Sequence, residues 1–478
     1  ICCNFRKQGM VGFGCGLGIA AAYKFITDGL KVFPSEVTYE IKSYKGSGVG
    51  MDVLPALLGV GYICGARVSS YIFAGGVIGW FVLMPLIALF GADLTIFPAS
   101  VPVSELGASG IWSNYIRYIG AGAVAAGGII SLVKNLPLIA KTFRQALKSY
   151  GSKGNGDNSR LNKDIPMNIV ILTIGIMAII MWLVPAVPVS LLGAIIIVIF
   201  GFFFATVSSR MVGIVGSSNN PVSGMAIATL LITTMILKAT GTIGMPGMVA
   251  SIAIGSVICI IAAIAGDTSQ DLKTGYLVGA TPWKQQVGEI IGVAASAIAI
   301  GGVLYLLNAA WSYGSSAIPA PQATLMKMVV EGVMGGNLPW VLVFAGVGIA
   351  VVVEILGIPV LPFAVGLYLP IYLSTPMIVG GLIRLYFDKK KGESEEEKKR
   401  KVENGVLYSS GLIAGEGLVG ILLAVCAVIP FKGETFADAF NLSAIFGFSL
   451  GNIGGLVFFA LLAVTLILFI RGKKKKEN

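Results

Sequence analysis

Histidine is absent from the 478 residues, which removes His-ligated zinc, imidazole general bases and histidine proton relays together. Charge is scarce too: 12% of the chain is Asp, Glu, Lys or Arg, about half of the ~25% usual in soluble domains. The six cysteines (Cys2, Cys3, Cys15, Cys64, Cys259, Cys426) form no C-x-x-C pair. Four of them fall inside apolar runs, where a thiol reads as a buried packing group. No G-x4-G-K-S/T stretch occurs, so a phosphate-cradling loop is not expected. Residues 1–9 lack the charged region, apolar core and cleavage site of a signal peptide, and Ile1 is not an initiator methionine. The chain therefore reads as part of something longer.

What the chain has in quantity is apolar sequence. Hydrophobic residues make up 56%, and there are 64 glycines, a bias found where helices pack closely in bilayers. One apolar run of about 20 residues follows another, each long enough to cross ~30 Å of hydrocarbon. The fold class this predicts is an all-α polytopic membrane protein. About 12 transmembrane helices are expected, near 10–26, 51–66, 70–91, 112–133, 167–184, 189–207, 221–237, 247–265, 287–307, 337–356, 406–429 and 450–470. Re-entrant or broken-helix hairpins are added at 358–387, interrupted by Pro359, Pro362, Pro370 and Pro376, and at 324–336. Residues 1–478 read as one transmembrane domain, and the mixed charges of 388–404 as a solvated cytosolic linker. Gly75-Gly76, Gly127-Gly128 and Gly301-Gly302 read as packing positions.

The net charge of +11 does not point to nucleic acid, because its distribution is that of an orientation signal. Of 34 Lys and Arg, 25 fall in 1–9, 134–165, 208–218, 266–286, 384–404 and 471–478, six on the opposite side, and three within spans. That bias, with an even number of crossings, predicts a cell-membrane (plasma or inner membrane) protein with both termini cytoplasmic. Lys473–Lys476 reads as an anchor to anionic lipid.

Three constellations could carry chemistry. Gly216–Gly224 (GSSNNPVSG) puts Asn220 before Pro221, the pattern of a capped helix start. The same pattern within a membrane aims unpaired amides at a cavity, as broken helices of secondary transporters do, with Arg210 as a nearby cation. Gly266–Tyr276 (GDTSQDLKTGY) places Asp267, Gln270, Asp271 and Thr274 at i, i+3, i+4 and i+7, one polar stripe if helical. It reads either as a capping box with Asp267 as N-cap or as a short polar helix dipping into a transport cavity. Glu416, in mid-span among Gly411, Gly415, Gly417 and Gly420, stands where a charge costs about 2.5–3.5 kcal/mol. The glycines would hold it against a partner or a cavity. Glu289, Glu354, Asp52, Arg67 and Lys238 lie nearer span ends, where snorkelling suffices.

SSNNPVSGM (Ser217–Met225) and GDTSQDLKTGYLVGATPWKQQ (Gly266–Gln286) resemble the two signature stretches of the oligopeptide transporter (OPT) superfamily, which includes peptide transporters and yellow-stripe-like metal-chelate transporters. Asp28–Ile41, Met51–Trp80, Ala364–Ile383 and Ser409–Ala424 resemble further stretches of bacterial members. The resemblance covers nearly the whole chain. It implies proton-driven symport of small oligopeptides or peptide-like metal chelates, and more spans than are counted here, so the N-terminal end reads as truncated. With no histidine, coupling would fall on carboxylates: Glu416, Asp267, Asp271 and Glu289. Substrate contacts are expected at Arg210, Asn219, Asn220, Asp267, Gln270, Asp271, Lys273 and Tyr276. The expected partners are the small-molecule substrate, protons and the lipid bilayer, with no nucleic acid, no resident metal and no cofactor. An enzyme is not expected. The alternatives are a membrane prenyltransferase holding Mg²⁺ on Asp267-x3-Asp271, lacking the second acidic cluster such sites need, and a channel or pump subunit.

Overall fold

The computed structural model describes all residues except 1, 42, 152–159, 161–162, 216–221, 316–317, 319, 336–337, 391, 393, 432–433, 438–439, 443–444, 446, 448 and 472–478. In chain order the helices are α1 (Cys2–Lys24), α2 (Pro55–Val77), α3 (Met84–Phe90), α4 (Gly107–Ile111), α5 (Arg117–Gly151), α6 (Met167–Leu183), α7 (Leu191–Val215) and α8 (Val222–Ala239). They continue as α9 (Gly244–Val278), α10 (Pro282–Trp311), α11 (Pro321–Gly335), α12 (Trp340–Ile355), α13 (Val360–Tyr368), α14 (Ile371–Asp388), α15 (Glu395–Val428) and α16 (Gly451–Arg471). Two antiparallel hairpins pair β1 (Glu36–Glu40) with β2 (Gly48–Asp52), and β3 (Pro430–Phe431) with β4 (Glu434–Thr435). Helix dominates because hydrocarbon offers the backbone no hydrogen-bond partner, so each spanning segment must satisfy its own amides.

Among the described residues, seven helical runs are long and apolar enough to cross a membrane, and Met167–Leu183, Gly224–Ala239 and Trp340–Ile355 are shorter apolar helices. The molecule is an all-α polytopic membrane protein. Two expected spans, 51–66 and 70–91, are one helical run over Pro55–Phe90, interrupted at Gly65. The expected span 112–133 lies within the run that begins at α4 and passes through a π-helical turn, Trp112–Ile116, into α5.

The chain forms two compact units. In the first (Ile1–Val124, Val303–Pro319, Pro339–Asn478), α13 and α14 pack along α2, while α1 packs along α15. Glycine sets these spacings. A Cβ at Gly61 would overlap the Met377 carbonyl, and one at Gly380 the Leu58 carbonyl. Gly16 and Gly411 perform the same service between α1 and α15, against Tyr408 and Phe13. The shared core includes Tyr23, Phe33, Val53, Leu58, Tyr62, Tyr408 and Phe459. The proline-broken stretch 358–387 resolves into α13 and α14, with Leu369 extended before Pro370, since a residue preceding proline is pushed out of the helical region.

In the second unit (Ala125–Gly302, Ala320–Leu338), α9 is central, packed by α7, α8 and α11. Its buried face carries Ile254, Ile258 and Ala262 against Phe204 and Leu230. Gly128 meets Ile227 closely, but a Cβ at Gly301 or Gly302 would meet nothing among the described residues, so that glycine pair packs against none of them. The charged stretch expected as a linker is helical from Glu395. Ser394 accepts a hydrogen bond from the Glu397 amide at 3.2 Å and Glu395–Glu397 fill the first turn, the charge order a helix N-terminus favours.

Candidate functional site

The first candidate site grows from the start of α2. Pro55 has no N–H, so Ala56 presents the first orphan amide of the helix, and Leu54 at the N-cap offers no side-chain acceptor. The acceptor comes from α15: the Ala56 N–H donates to Glu416 Oε2 at 2.6 Å. The other oxygen, Oε1, lies 3.6 Å from Lys24 Nζ, which in turn sits 2.6 Å from Asp28 Oδ2. Lys24 and Glu416 are 13% and 14% exposed, so this is a buried pair, stabilised only when both charges stay partnered. Gly415, pressed on the Leu17 carbonyl, brings α15 close to α1 at this level. Gly417 and Gly420 face open space and take no part.

Asp52 ends β2 just before that helix start. Its Oδ1 is buried with no hydrogen-bond partner among the described residues. Lying outside the membrane-spanning helices, its carboxyl is pushed up to about 8, by burial first and by the Glu416 charge next, with Lys24 acting in the other direction. Tyr23, 7% exposed, also has an unpartnered buried hydroxyl and feels Asp52, Glu416 and Asp28. One cation thus faces three carboxylates. As a residue Asp52 is half-buried at the end of the hairpin. The sequence showed Glu416 as a mid-span charge, but neither Lys24 nor Asp52 was expected beside it, since they are hundreds of residues away.

A second feature of this unit is the break in α2. Gly65 has φ +80°, a conformation natural to glycine. The Ser69 hydroxyl donates to the Gly61 carbonyl across the break at 3.2 Å, although residues eight apart in a straight helix stand about 12 Å apart. The two halves are therefore sharply bent on one another. The carbonyls freed at the end of the first half, Tyr62 and Ile63, accept from Arg384 Nη1 at 3.2 and 2.6 Å. Arg384 is itself 3.7 Å from Asp388. Broken helices of this kind form ion and substrate sites in transporters. Proline in 358–387 signalled the partner break, but Gly65 is one glycine among many and carried no signal.

The second unit holds the polar stripe. Gly244–Val278 is one 35-residue helix, so Asp267 is interior to α9 and is not an N-cap; nor is Gly266–Tyr276 a separate short helix. No proline separates it from the apolar run, Gly266 keeps helical geometry, and the helix propagates until Gly279, at φ +77°. Asp267, Asp271, Lys273 and Tyr276 are exposed and Gln270 is half-buried. Gln285 Nε2 donates to the Asp271 carbonyl at 2.7 Å, and Ser269 Oγ to the Ser209 carbonyl at 2.6 Å, next to half-buried Arg210. Half-buried Glu289 lies beside Thr268 and Asp271 of this stripe, with Oε1 buried. Asn219 and Asn220 lie outside the described residues, as does Lys473–Lys476. Lys238 donates to the Val333 carbonyl at 2.6 Å, and Arg67 to Tyr71 at 3.1 Å. Cys15 and Cys64 are exposed on their helices, not buried packing thiols; Cys259 and Cys426 are half-buried.

The family model described as OPT oligopeptide transporter protein matches residues 6–427. A Haemophilus influenzae protein named as an oligopeptide transporter is 28% identical over 91% of this chain and 76% of its own length. The rice protein named as metal-nicotianamine transporter YSL11 is 25% identical over 83% of this chain and 59% of its own length. An Arabidopsis thaliana protein named as metal-nicotianamine transporter YSL5 is 30% identical over 43% of this chain and 31% of its own. The chain thus spans little more than half of the rice relative, and about three-quarters of the bacterial one. The prenyltransferase reading of Asp267-x3-Asp271 falls away, because the matched proteins are transporters, not enzymes. From residue 6 to residue 427 the fold and its sites lie inside one family pattern, and this chain belongs to the OPT oligopeptide transporter family.

Proposed function

We propose that the chain forms the transporting part of a proton-coupled symporter that carries small oligopeptides or peptide-like metal chelates across the cell membrane. The observation that carries this reading is the buried Lys24–Glu416 pair at the start of a broken helix, in a chain whose relatives are named for these two cargoes. Both cargoes bear carboxylates together with amines or a chelated metal. Arg210 and Lys273 would meet the former. Asp267, Asp271 and Asn219 would meet the latter, with Asn220, Gln270 and Tyr276 as further substrate contacts. In the absence of histidine, coupling falls on carboxylates, with Glu416, Asp267, Asp271 and Glu289 as the set drawn from the sequence. The Lys and Arg balance supports an orientation with both termini cytoplasmic.

The test is uptake by proteoliposomes that contain the full-length protein, with a di- and tripeptide pool and a metal–nicotianamine chelate in mutual competition under an imposed pH gradient. Gradient-driven accumulation of either cargo supports the reading, and accumulation indifferent to the gradient overturns its coupled part. Asp267→Asn and Asp271→Asn should each reduce uptake several-fold at unchanged expression. Silence at both would withdraw the α9 stripe from the substrate site.

A further inference from the structure

We propose that Asp52 carries the coupling proton and that Glu416 is the fixed counter-ion of Lys24. This rests on the transport reading above and moves the coupling proton from the carboxylates drawn from the sequence, Glu416 first, to Asp52.

The two carboxylates differ in what surrounds them. Both oxygens of Glu416 face positive partners, the Ala56 N–H at 2.6 Å and the Lys24 ammonium at 3.6 Å. A carboxylate held between an ammonium and a helix N-terminus is stabilised as the anion. Asp52 has no comparable setting: its Oδ1 is buried without a partner among the described residues. An ionised oxygen left that way carries a desolvation penalty of several kcal/mol, which a proton removes. The groups around it come from every element packed there. They are Tyr23, Lys24 and Asp28 on α1 and the turn after it, Glu36 on β1, Glu416 on α15 and Tyr372 on α14. Lys24 is the lone cation among them, and Asp28 and Glu416 already occupy it. Of the remaining two carboxylates Glu36 is exposed on β1, which leaves Asp52 as the one to take a proton. Tyr23 supplies a further sign that the place is built for an exchangeable group, since its hydroxyl is buried, has no hydrogen-bond partner among the described residues and feels the same charges.

The step balances simply. A hydronium on one side of the membrane gives its proton to an Asp52 oxygen, forming an O–H bond and leaving water. On the other side the bond breaks and the proton passes to water. While Asp52 is neutral, Lys24 remains on Glu416, and Glu416 holds the amide end of the first half of α2. When Asp52 is ionised, it competes for Lys24 and weakens that hold. The charge state of Asp52 thereby reaches a helix whose far end is the Gly65 break.

Infrared difference spectroscopy of the full-length protein in lipid tests this without any cargo. A protonated-carboxyl C=O band should be present at neutral pH, titrate away in base, disappear in Asp52→Asn and persist in Glu416→Gln. Persistence in Asp52→Asn with loss in Glu416→Gln would overturn the assignment, and so would the absence of any such band in the wild type. In proteoliposomes, Asp52→Asn should lower accumulation driven by a pH gradient by tenfold or more; full accumulation by that variant also overturns it. Exchange of labelled cargo by the wild type, with no gradient, tests the transport reading separately. Failure there would leave the infrared result standing as a statement about Asp52 alone.

Discussion

Asp52 and Glu416 are carboxylates in one cluster, and their difference has a consequence for stability. Because the Asp52 carboxyl stands at about 8 in the fold against 3.8 ordinarily, the folded protein keeps a proton that the unfolded chain gives up between those values. Its contribution is full below 3.8 and is lost as pH rises through about 8. The melting temperature in detergent should therefore fall across that window, and Asp52→Asn should flatten the fall; an unchanged slope would show that Asp52 does not titrate there. Arg384 is the second residue with a defined task, since it serves two carbonyls that the Gly65 break releases. Charge-assisted hydrogen bonds contribute about 1.5–3 kcal/mol each. Arg384→Met should accordingly destabilise by about 2–4 kcal/mol, with Arg384→Lys intermediate because one ammonium can still reach one carbonyl. Thermal unfolding of the three proteins, measured side by side, checks the order.

Among the elements, α1 with α15 and α2 with α14 interlock through glycines, and the contacts separate glycines that pack from those that do not. At Gly61 a methyl group would overlap the Met377 backbone, whereas at Gly417 it would meet nothing. Overpacking a close helix contact costs typically 1–3 kcal/mol, while Gly→Ala in an open helix gains up to about 1 kcal/mol. Gly61→Ala should lower the melting temperature, and Gly417→Ala should leave it level or raise it. Equal effects at the two positions would mean that close approach does not hold this helix pair. The first half of α2, Pro55–Cys64, rises only about 15 Å at helical pitch, too little to cross ~30 Å of hydrocarbon. It is a half-helix, held at its amide end by Glu416 and at its carbonyl end by Arg384.

At the scale of the molecule, that half-helix changes the basis of the orientation. A segment too short to cross does not count toward the parity of crossings, so the proposed orientation is carried by the segments after α4, namely 134–165, 208–218, 266–286, 384–404 and 471–478, which hold 23 of the 34 Lys and Arg. The proposed orientation puts Lys163 in the cytoplasm and Ser109 outside. With Cys15 and Cys64 replaced by serine, since both are exposed, an impermeant maleimide should label Ser109→Cys in intact cells and reach Lys163→Cys only after permeabilisation. The reverse pattern would invert the orientation.

Membrane class, helical architecture, the proline break at 358–387 and the family pattern were legible in the chain itself. Each rests on local composition: apolar runs must become helices in hydrocarbon, and proline must interrupt them. Glu416 was legible for the same reason, as a charge standing in an apolar run. The continuous 35-residue helix α9 was not, because a polar segment that opens on Gly266 and has no proline can either cap or continue a helix, and the packing of α7 and α8 on its apolar part favours continuation. The partners of Glu416 were hidden altogether. Ala56 lies 360 residues away in the chain, and only the close approach of α15 to α1 and α2 decides that Lys24, Asp52 and the half-helix share one buried cluster. Sequence determines which groups are costly to bury; the tertiary structure decides which of them are buried together and which one is left to hold a proton.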